Sequence, residues 1–357
     1  MSRDLLEGSE AIARAALAAD CRFFAGYPMT PFTELLEHFA ALLPERGGAC
    51  INAESELEAI GMAWGAAATG ARAATGSTGQ GLALMQESLS ELTRAEIPLV
   101  VFNLARGQGD YFQATRGGGH GDYRLICLAP LDAAEAVELT QLAFHLADRW
   151  RHPVLVYGDY LLAHTHEAVD VAALDFGPTP DKDWAVDGAL GGTGRARNLN
   201  PIGMVPGQKG IDPAVFWDRL QAKTEQIAVA EPRFEAEGCE DAELVVVAFG
   251  TLARFARHAV RALRSEGRRV GLFRPITLWP FPARALAAAA AGARRVAVLE
   301  QNAGQMIDDV RLALEGAVPV EAIGGISTDP AGFGIGPLLD AEVVRGRIHS
   351  QLEEGSR

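Results

Sequence analysis

Short apolar runs alternate with stretches of helical period along most of this chain, and the alternation predicts elements one by one. Ser9 is placed to cap a helix over 10–19, and "CRFFA" (21–25) reads as the first strand. After Pro31 the spacing predicts a helix over 32–43, then strand "ACINA" (49–53), then a helix from 56 to about 69. Strand "ARAAT", a helix over 81–94, strand "PLVVFN", a helix over 132–149 and strand "PVLVYG" follow. This βα rhythm predicts a mostly parallel, doubly wound sheet covered by helices, over residues 1–165. Between 166 and 240 the rhythm fails: "DFGPTPDKDWAVDGALGGTGRARNLNPIGMVPGQKG" carries neither period and reads as a linking segment. It resumes with "ELVVVAFG", a helix over 252–265, "RRVGLFRPI", a helix near 283–291, "RRVAVLEQ", a helix over 305–315 and "VPVEAIGGI". A second, smaller α/β domain is therefore expected over 241–350.

Composition narrows the partners. The chain has 357 residues, 48% of them hydrophobic, enough to bury a full core. A formal charge of −14 with no stripe of Lys and Arg argues against a nucleic-acid surface. No apolar run approaches the roughly 20 residues of a membrane span, and the acidic, helix-patterned start lacks a signal peptide's basic region, so the expected location is cytoplasmic. Cys21, Cys50, Cys127 and Cys239 are scattered with no C-x-x-C, which predicts neutral thiols and no local zinc or iron–sulfur site.

In open parallel sheets ligands bind beyond the carboxyl ends of the strands, which puts weight on four stretches. They are "GYPMTP" (26–31), "ESE" (54–56), "GSTGQG" (76–81) and "LARGQGDYFQATRGGGHGDY" (104–123). Thr30 precedes a helix-starting proline, so capping is one use of its hydroxyl. Ser55 and Glu58 fit a capping box, with Glu58 reaching back to the Ser55 backbone. Glu56 is left over, in the first turn of a helix too apolar to be a solvated face; it is either a dipole partner or a group for proton chemistry. "GSTGQG" lacks the Lys and the spacing of phosphate loops, and a tight turn permitting close approach of a ligand is the better reading. Arg106 ends an apolar strand, where its charge pairs with a carboxylate of the protein or of a ligand. His120 lies in "GGGHGDY", as a turn filler or a site residue.

At these places the sequence resembles the α, or pyrimidine-binding, subunit of the thiamine-diphosphate-dependent 2-oxoacid:ferredoxin oxidoreductases, in the 2-oxoglutarate and branched-chain branch. The resemblance rests on "GYPMTP", "AESE", "DYFQATRGGGHGDYR", "FRPITLWPFP" (273–282) and "EQNAGQMIDDVRLAL" (300–314), which together span nearly the whole chain. It implies a thiamine-diphosphate pyrimidine domain followed by a transketolase C-terminal-like domain. It implies CoA-dependent oxidative decarboxylation of a 2-oxoacid to acyl-CoA and CO2, with electrons passed to ferredoxin or a similar acceptor. Glu56 then matches the glutamate that hydrogen-bonds the aminopyrimidine N1′, Thr30 and Arg106 match the positions holding the substrate carboxylate and keto oxygen, and Gln80 falls at a loop position near them. Tyr27 and His120 are further loop candidates. No GDG motif occurs in the sequence, so the resemblance assigns the diphosphate and Mg2+ to a β subunit and the iron–sulfur clusters to partner chains, among them a γ subunit and a ferredoxin-like subunit. Met29 and Phe32 depart from the family pattern, and the stretch from Arg106 to Asp110 is short for it. A non-oxidative thiamine-diphosphate component and a non-catalytic scaffold of the same fold are the alternatives; a scaffold has no need to keep Thr30, Glu56 and Arg106 together.

Overall fold

The computed structural model describes residues 3–186, 213–325 and 340–354. The chain opens with β1 (Asp4–Glu7) and α1 (Gly8–Ala18), followed by β2 (Cys21–Gly26), α2 (Thr33–Leu42), β3 (Ala49–Asn52) and α3 (Glu56–Ala68). Next come β4 (Arg72–Ser77), α4 (Gly79–Ala95), β5 (Val100–Ala105), α5 (Tyr111–Thr115), β6 (Ile126–Leu128), α6 (Ala133–Trp150), β7 (Val154–Asp159), α7 (Tyr160–His164) and β8 (His166–Val169). The remainder consists of α8 (Pro213–Ala230), β9 (Phe234–Glu237), β10 (Leu244–Ala248), α9 (Gly250–Ser265), β11 (Val270–Pro275), β12 (Thr277–Trp279), α10 (Ala283–Ala290), β13 (Arg295–Leu299), α11 (Met306–Leu314), β14 (Val320–Ala322) and α12 (Ala341–Glu354).

The larger sheet has the order β12-β6-β7-β5-β4-β2-β3 and is parallel throughout except for β12. Its central strands β5 and β7 are buried at every position, as expected of a parallel sheet with helices on both faces. The second sheet runs β14-β13-β10-β11-β9, with β9 antiparallel at its edge. Strand β12 leaves the second half of the chain and pairs with β6 of the first sheet, Thr277 opposite Leu128 and Trp279 opposite Cys127. One apolar core accordingly continues across both sheets, through Leu89, Val101, Tyr111 and Leu155 on one side and Val245, Phe249, Phe273 and Val298 on the other. Arg274, fully buried, ties the halves further: its Nη1 donates to Glu135 Oε2 at 2.7 Å and its Nε to Glu235 Oε2 at 2.8 Å. A buried guanidinium is tolerable only with its charge matched in this way.

Two helix starts differ from the sequence pattern. Helix α1 begins at Gly8 with Glu7 in the cap position, and Ser9 lies inside it, its hydroxyl donating to Ala163 O at 2.9 Å. Helix α2 begins at Thr33 with no side-chain cap, so the Thr30 hydroxyl is not spent on capping. The start is displaced because Phe32 is drawn into the core, its ring 6.0 Å from that of Phe24 and over the Cβ-less faces of Gly26 and Gly76. Within the stretch expected to link the halves, residues 213–230 form α8. Its buried stripe is thin, Phe216, Leu220 and Ile227, and Lys223 turns inward to pair with Glu96 at 3.1 Å, which interrupts the apolar period.

Candidate active site

Strand β2 sits between β3 and β4; its crossover through α2 leads to β3 on one side, whereas β4 leads through α4 to β5 on the other. The strand order reverses at this point, and a crevice opens beyond the carboxyl ends of β2 and β4, the place where such sheets bind ligands. The turn 26–31 follows β2, residues 77–81 follow β4, Glu56 opens α3 after β3, and Arg106 follows β5. Topology alone brings together residues far apart in sequence.

Glu56 is 2% exposed, a carboxylate buried at the first turn of α3. Ser77 Oγ donates to its Oε1 at 2.8 Å, and Ser77 is its only side-chain hydrogen-bond partner among the described residues. The carboxylate lies over Gly81, where a Cβ would stand 2.5 Å from Glu56 Cγ and closer still to Glu56 Oε1 and Ser77 Oγ. The glycine is therefore what admits the acid. Ser55 caps α3 through Leu57 N at 3.2 Å, and its hydroxyl also donates to Glu58, whose carboxyl it holds below the usual range. The capping pair forms chiefly side chain to side chain, and Glu58 is exposed where Glu56 is not.

Arg106 reaches across the end of β4 and donates Nε to Thr30 O at 3.1 Å. The two terminal nitrogens of its guanidinium have no partner among the described residues. Arg106 lines a cleft of ≈ 510 Å³ whose walls include Thr78, Gln80, Asp110, Gln113, Asn302 and Gln305, so both halves of the chain contribute. Thr78, buried, links the two turns: its hydroxyl donates to Gln80 Oε1 at 3.0 Å and contacts Met29 Sδ at 3.6 Å. Asp110 lies against the start of α4 at Gly79 and accepts from Asn103 Nδ2 at 3.1 Å. Burial pushes its carboxyl above the usual carboxylate range, against the Asn103 amide and the Arg106 charge, which pull it down. Two carboxylates of the protein, Asp110 at Gly79 and Glu56 at Gly81, lie close against the glycines of "GSTGQG".

Arg106 and Gln80 both line the cleft, whereas Thr30 is exposed and absent from its walls, tied to them only through its carbonyl on Arg106 Nε; Glu56 lies behind Ser77 and Gly81. Tyr27 is exposed and does not line the cleft. His120 is exposed, also off the cleft, and is held by its backbone N–H, which donates to Ser90 Oγ at 3.2 Å. The four cysteines are free; burial pushes Cys21 up to about 12 and Cys50 to about 11, which leaves them neutral thiols. Ser77, Gly81 and Asp110 sit inside motifs legible in the sequence, but nothing there says which glycine or acid faces which. The amides Gln301, Asn302 and Gln305 belong to "EQNAGQ", a stretch with no local chemistry of its own.

Residues 14–184 match the family model of the thiamine-diphosphate-binding domain of pyruvate flavodoxin/ferredoxin oxidoreductases, and residues 242–331 match core domain II of pyruvate:ferredoxin oxidoreductase. Ketoisovalerate oxidoreductase subunit VorB of Methanothermobacter thermautotrophicus is 38% identical over 323 residues, covering 88% of this chain and 90% of that protein. The chain belongs to the 2-oxoacid:ferredoxin oxidoreductase family. 2-Oxoglutarate synthase subunit KorA of the same organism is 33% identical to this oxidoreductase subunit, covering 89% of it and 93% of KorA. A solved 2-oxoglutarate:ferredoxin oxidoreductase from Magnetococcus marinus, with 2-oxoglutarate, coenzyme A and succinyl-CoA bound, superposes with a TM-score of 0.81 at 25% identity. That match covers 98% of the oxidoreductase subunit but only 65% of the solved chain. A split-gene transketolase, at 15% identity and a TM-score of 0.59, shares the fold alone.

Proposed function

We propose that this oxidoreductase subunit forms the pyrimidine side of a thiamine-diphosphate site and binds the carboxylate of a 2-oxoacid through Arg106. The observation that carries the reading is the state of Arg106: its Nε is fixed on Thr30 O, the residue lines a cleft, and it forms no ion pair with a carboxylate of the described residues, Asp110 on the cleft wall reaching it only through its charge. A planar fork with two parallel N–H groups suits a carboxylate better than any other ligand. Thr30, whose hydroxyl is free of capping duty, orients the same end of the substrate.

The residues present fit half of the cofactor. Ser77 occupies one oxygen of the buried Glu56 carboxylate, which leaves the acid able to share a proton with the aminopyrimidine N1′. Bound thiamine diphosphate would supply the thiazolium carbon that takes up the 2-oxoacid. Gln80, held by Thr78 at the mouth of the crevice, borders the same space. A β subunit supplies the diphosphate and Mg2+ ligands, and γ and ferredoxin-like subunits complete the electron path through iron–sulfur clusters. The apolar side chains left exposed on α3 and α4, Leu57, Met62 and Leu84, favour cover by such a chain. The reaction is then 2-oxoacid plus coenzyme A giving acyl-CoA and CO2, with two electrons passed singly to a ferredoxin. Four free thiols suit the reducing cytoplasm as its place.

A turnover screen of the co-purified complex against 2-oxoglutarate, branched-chain, aryl and pyruvate substrates tests the reading. Coenzyme-A-dependent reduction of a ferredoxin is expected with at least one of them and none with the isolated chain; no reduction with any 2-oxoacid would overturn it.

A further inference from the structure

The segment that follows Arg106 is glycine-rich, "RGQGD", and so has little conformational preference of its own. What fixes it comes mostly from the second half of the chain. Gln108 is 1% exposed and absent from the cleft walls. Its Nε2 donates to Phe249 O at 3.1 Å, its Oε1 accepts from Gln301 N at 3.1 Å, and its backbone carbonyl accepts from Asn302 Nδ2 at 2.9 Å. Gln305 clamps the next peptides, donating to Gly109 O and accepting from Phe112 N, both at 2.8 Å. The clamping loop is itself anchored by Glu300, 1% exposed, whose carboxylate accepts from the backbone N–H groups of Gln305, Met306 and Ile307 at the start of α11. From the first half of the chain the segment receives Tyr157 OH on Gly107 O at 3.3 Å, Asn103 Nδ2 on Asp110 Oδ2 at 3.1 Å and the Thr30 carbonyl on Arg106 Nε at 3.1 Å, none of which touches Gln108.

We infer that Gln108 is a positioning residue through which the second half of the chain sets the guanidinium of Arg106, and with it the affinity for the substrate carboxylate; this rests on the reading of Arg106 given above. The two ends of one buried amide engage two different loops, the corner before α9 and the loop before α11, so the direction of the Gln108 side chain is over-determined. Arg106 precedes it by two residues, and among the described residues its side chain has one hydrogen bond, to Thr30 O. Release of the latch frees a glycine-flanked peptide and lets the fork leave the orientation that a bidentate carboxylate needs. The inference also assigns work to the "EQNAGQ" stretch, which the chemistry of the site does not otherwise use.

The test is a double-mutant cycle in the assembled complex. Gln108→Met keeps the length of the side chain and removes both of its hydrogen bonds. It is expected to raise KM for the 2-oxoacid about tenfold while kcat changes less than about threefold, the signature of lost ground-state binding. In an Arg106→Lys background the same substitution should change KM by less than about twofold, because the group it positions is already gone. Hydrogen exchange at the cofactor C2, which depends on Glu56, should stay at the wild-type rate. Gln108→Asn, which keeps the amide but shortens its reach, gives the same readout should the Met variant fail to assemble. An unchanged KM in an assembled Gln108 variant overturns the inference, as does an equal KM effect in both backgrounds. If Arg106→Lys itself leaves KM unchanged, the reading of Arg106 fails first, and the two failures are distinct.

Discussion

Replacing Gly81 by alanine separates the stability of this chain from its chemistry. The added Cβ would stand 2.5 Å from Glu56 Cγ, whereas real Cβ contacts stay beyond 3.0 Å, so the Glu56 side chain must retreat by at least about half an ångström and its oxygen by more, on the order of 1 Å. Neither neighbour can yield freely, since Glu56 and Ser77 are each 2% exposed. Overpacking of this kind costs about 1–3 kcal/mol, while alanine in a helix returns up to about 1 kcal/mol, for a net loss of about 0–3 kcal/mol. The fold should therefore survive. A displacement of 1 Å at a reacting group can cost about 10²-fold in rate, and that is the expected loss in C2 hydrogen exchange of thiamine diphosphate bound to the assembled complex. Gly65→Ala is the control: it lies on the exposed face of α3 with nothing within 4 Å of its added Cβ, and it should stabilise the isolated chain by about 1 kcal/mol. Urea titration measures the stabilities and NMR the exchange. Wild-type exchange in a folded Gly81→Ala complex would refute the claim that Glu56 is held in place by the lack of a side chain at position 81.

Glu56→Gln should leave the fold intact and slow the same exchange by about 10²–10⁴-fold, whereas Glu58→Gln, on the exposed side of the same turn, should leave it nearly unchanged; the reverse result exchanges their roles. Arg106→Lys should raise KM for the 2-oxoacid more than it lowers kcat, by a loss of about 1.5–3 kcal/mol in steady-state assays, because an ammonium cannot form the paired contact. Calorimetry of the isolated chain should detect weak thiamine diphosphate binding, insensitive to Mg2+; tight Mg2+-dependent binding would sink the shared-site reading. His152 is 1% exposed with Nε2 2.7 Å from Arg124 O, and burial lowers its pKa to about 3. The unfolded chain takes up a proton near pH 6.5 that the folded chain refuses, so this contribution is whole above that pH and is lost as the pH falls toward 3. Between pH 6.5 and 5 the wild type should lose about 2 kcal/mol more stability than His152→Asn, as read from urea midpoints.

The parallel architecture was legible because its strands are buried on both faces and print themselves as unbroken apolar runs, "VVFNLA" and "VLVYGD" among them. The strands that escaped are short or half exposed. Strand β6 has three residues, β8 has one buried position and β9 none, and β12 owes its state to a partner about 150 residues away in sequence. At the site, Thr30, Glu56 and Arg106 could be read as candidates because the rule of carboxyl ends converts order along the chain into place; Gln80 is singled out within its turn by the family resemblance. Who faces whom could not be read: that Ser77 holds Glu56, or that Asn302 and Gln305 grip the segment behind Arg106, depends on contacts between residues up to about 200 positions apart, and no local period encodes them.

The borrowed strand β12 also sets an order for biosynthesis. Residues 277–279 are synthesised more than 100 residues after β7, and until they arrive β6 has no partner for one backbone edge of Ile126, Cys127 and Leu128, all of which are fully buried in the finished protein. A nascent chain in that state presents a short sticky margin to its neighbours on the polysome. Truncation between Asp159 and Thr277 would make that margin permanent, and fragments ending there should aggregate in the cell even though the rest of their sheet is complete.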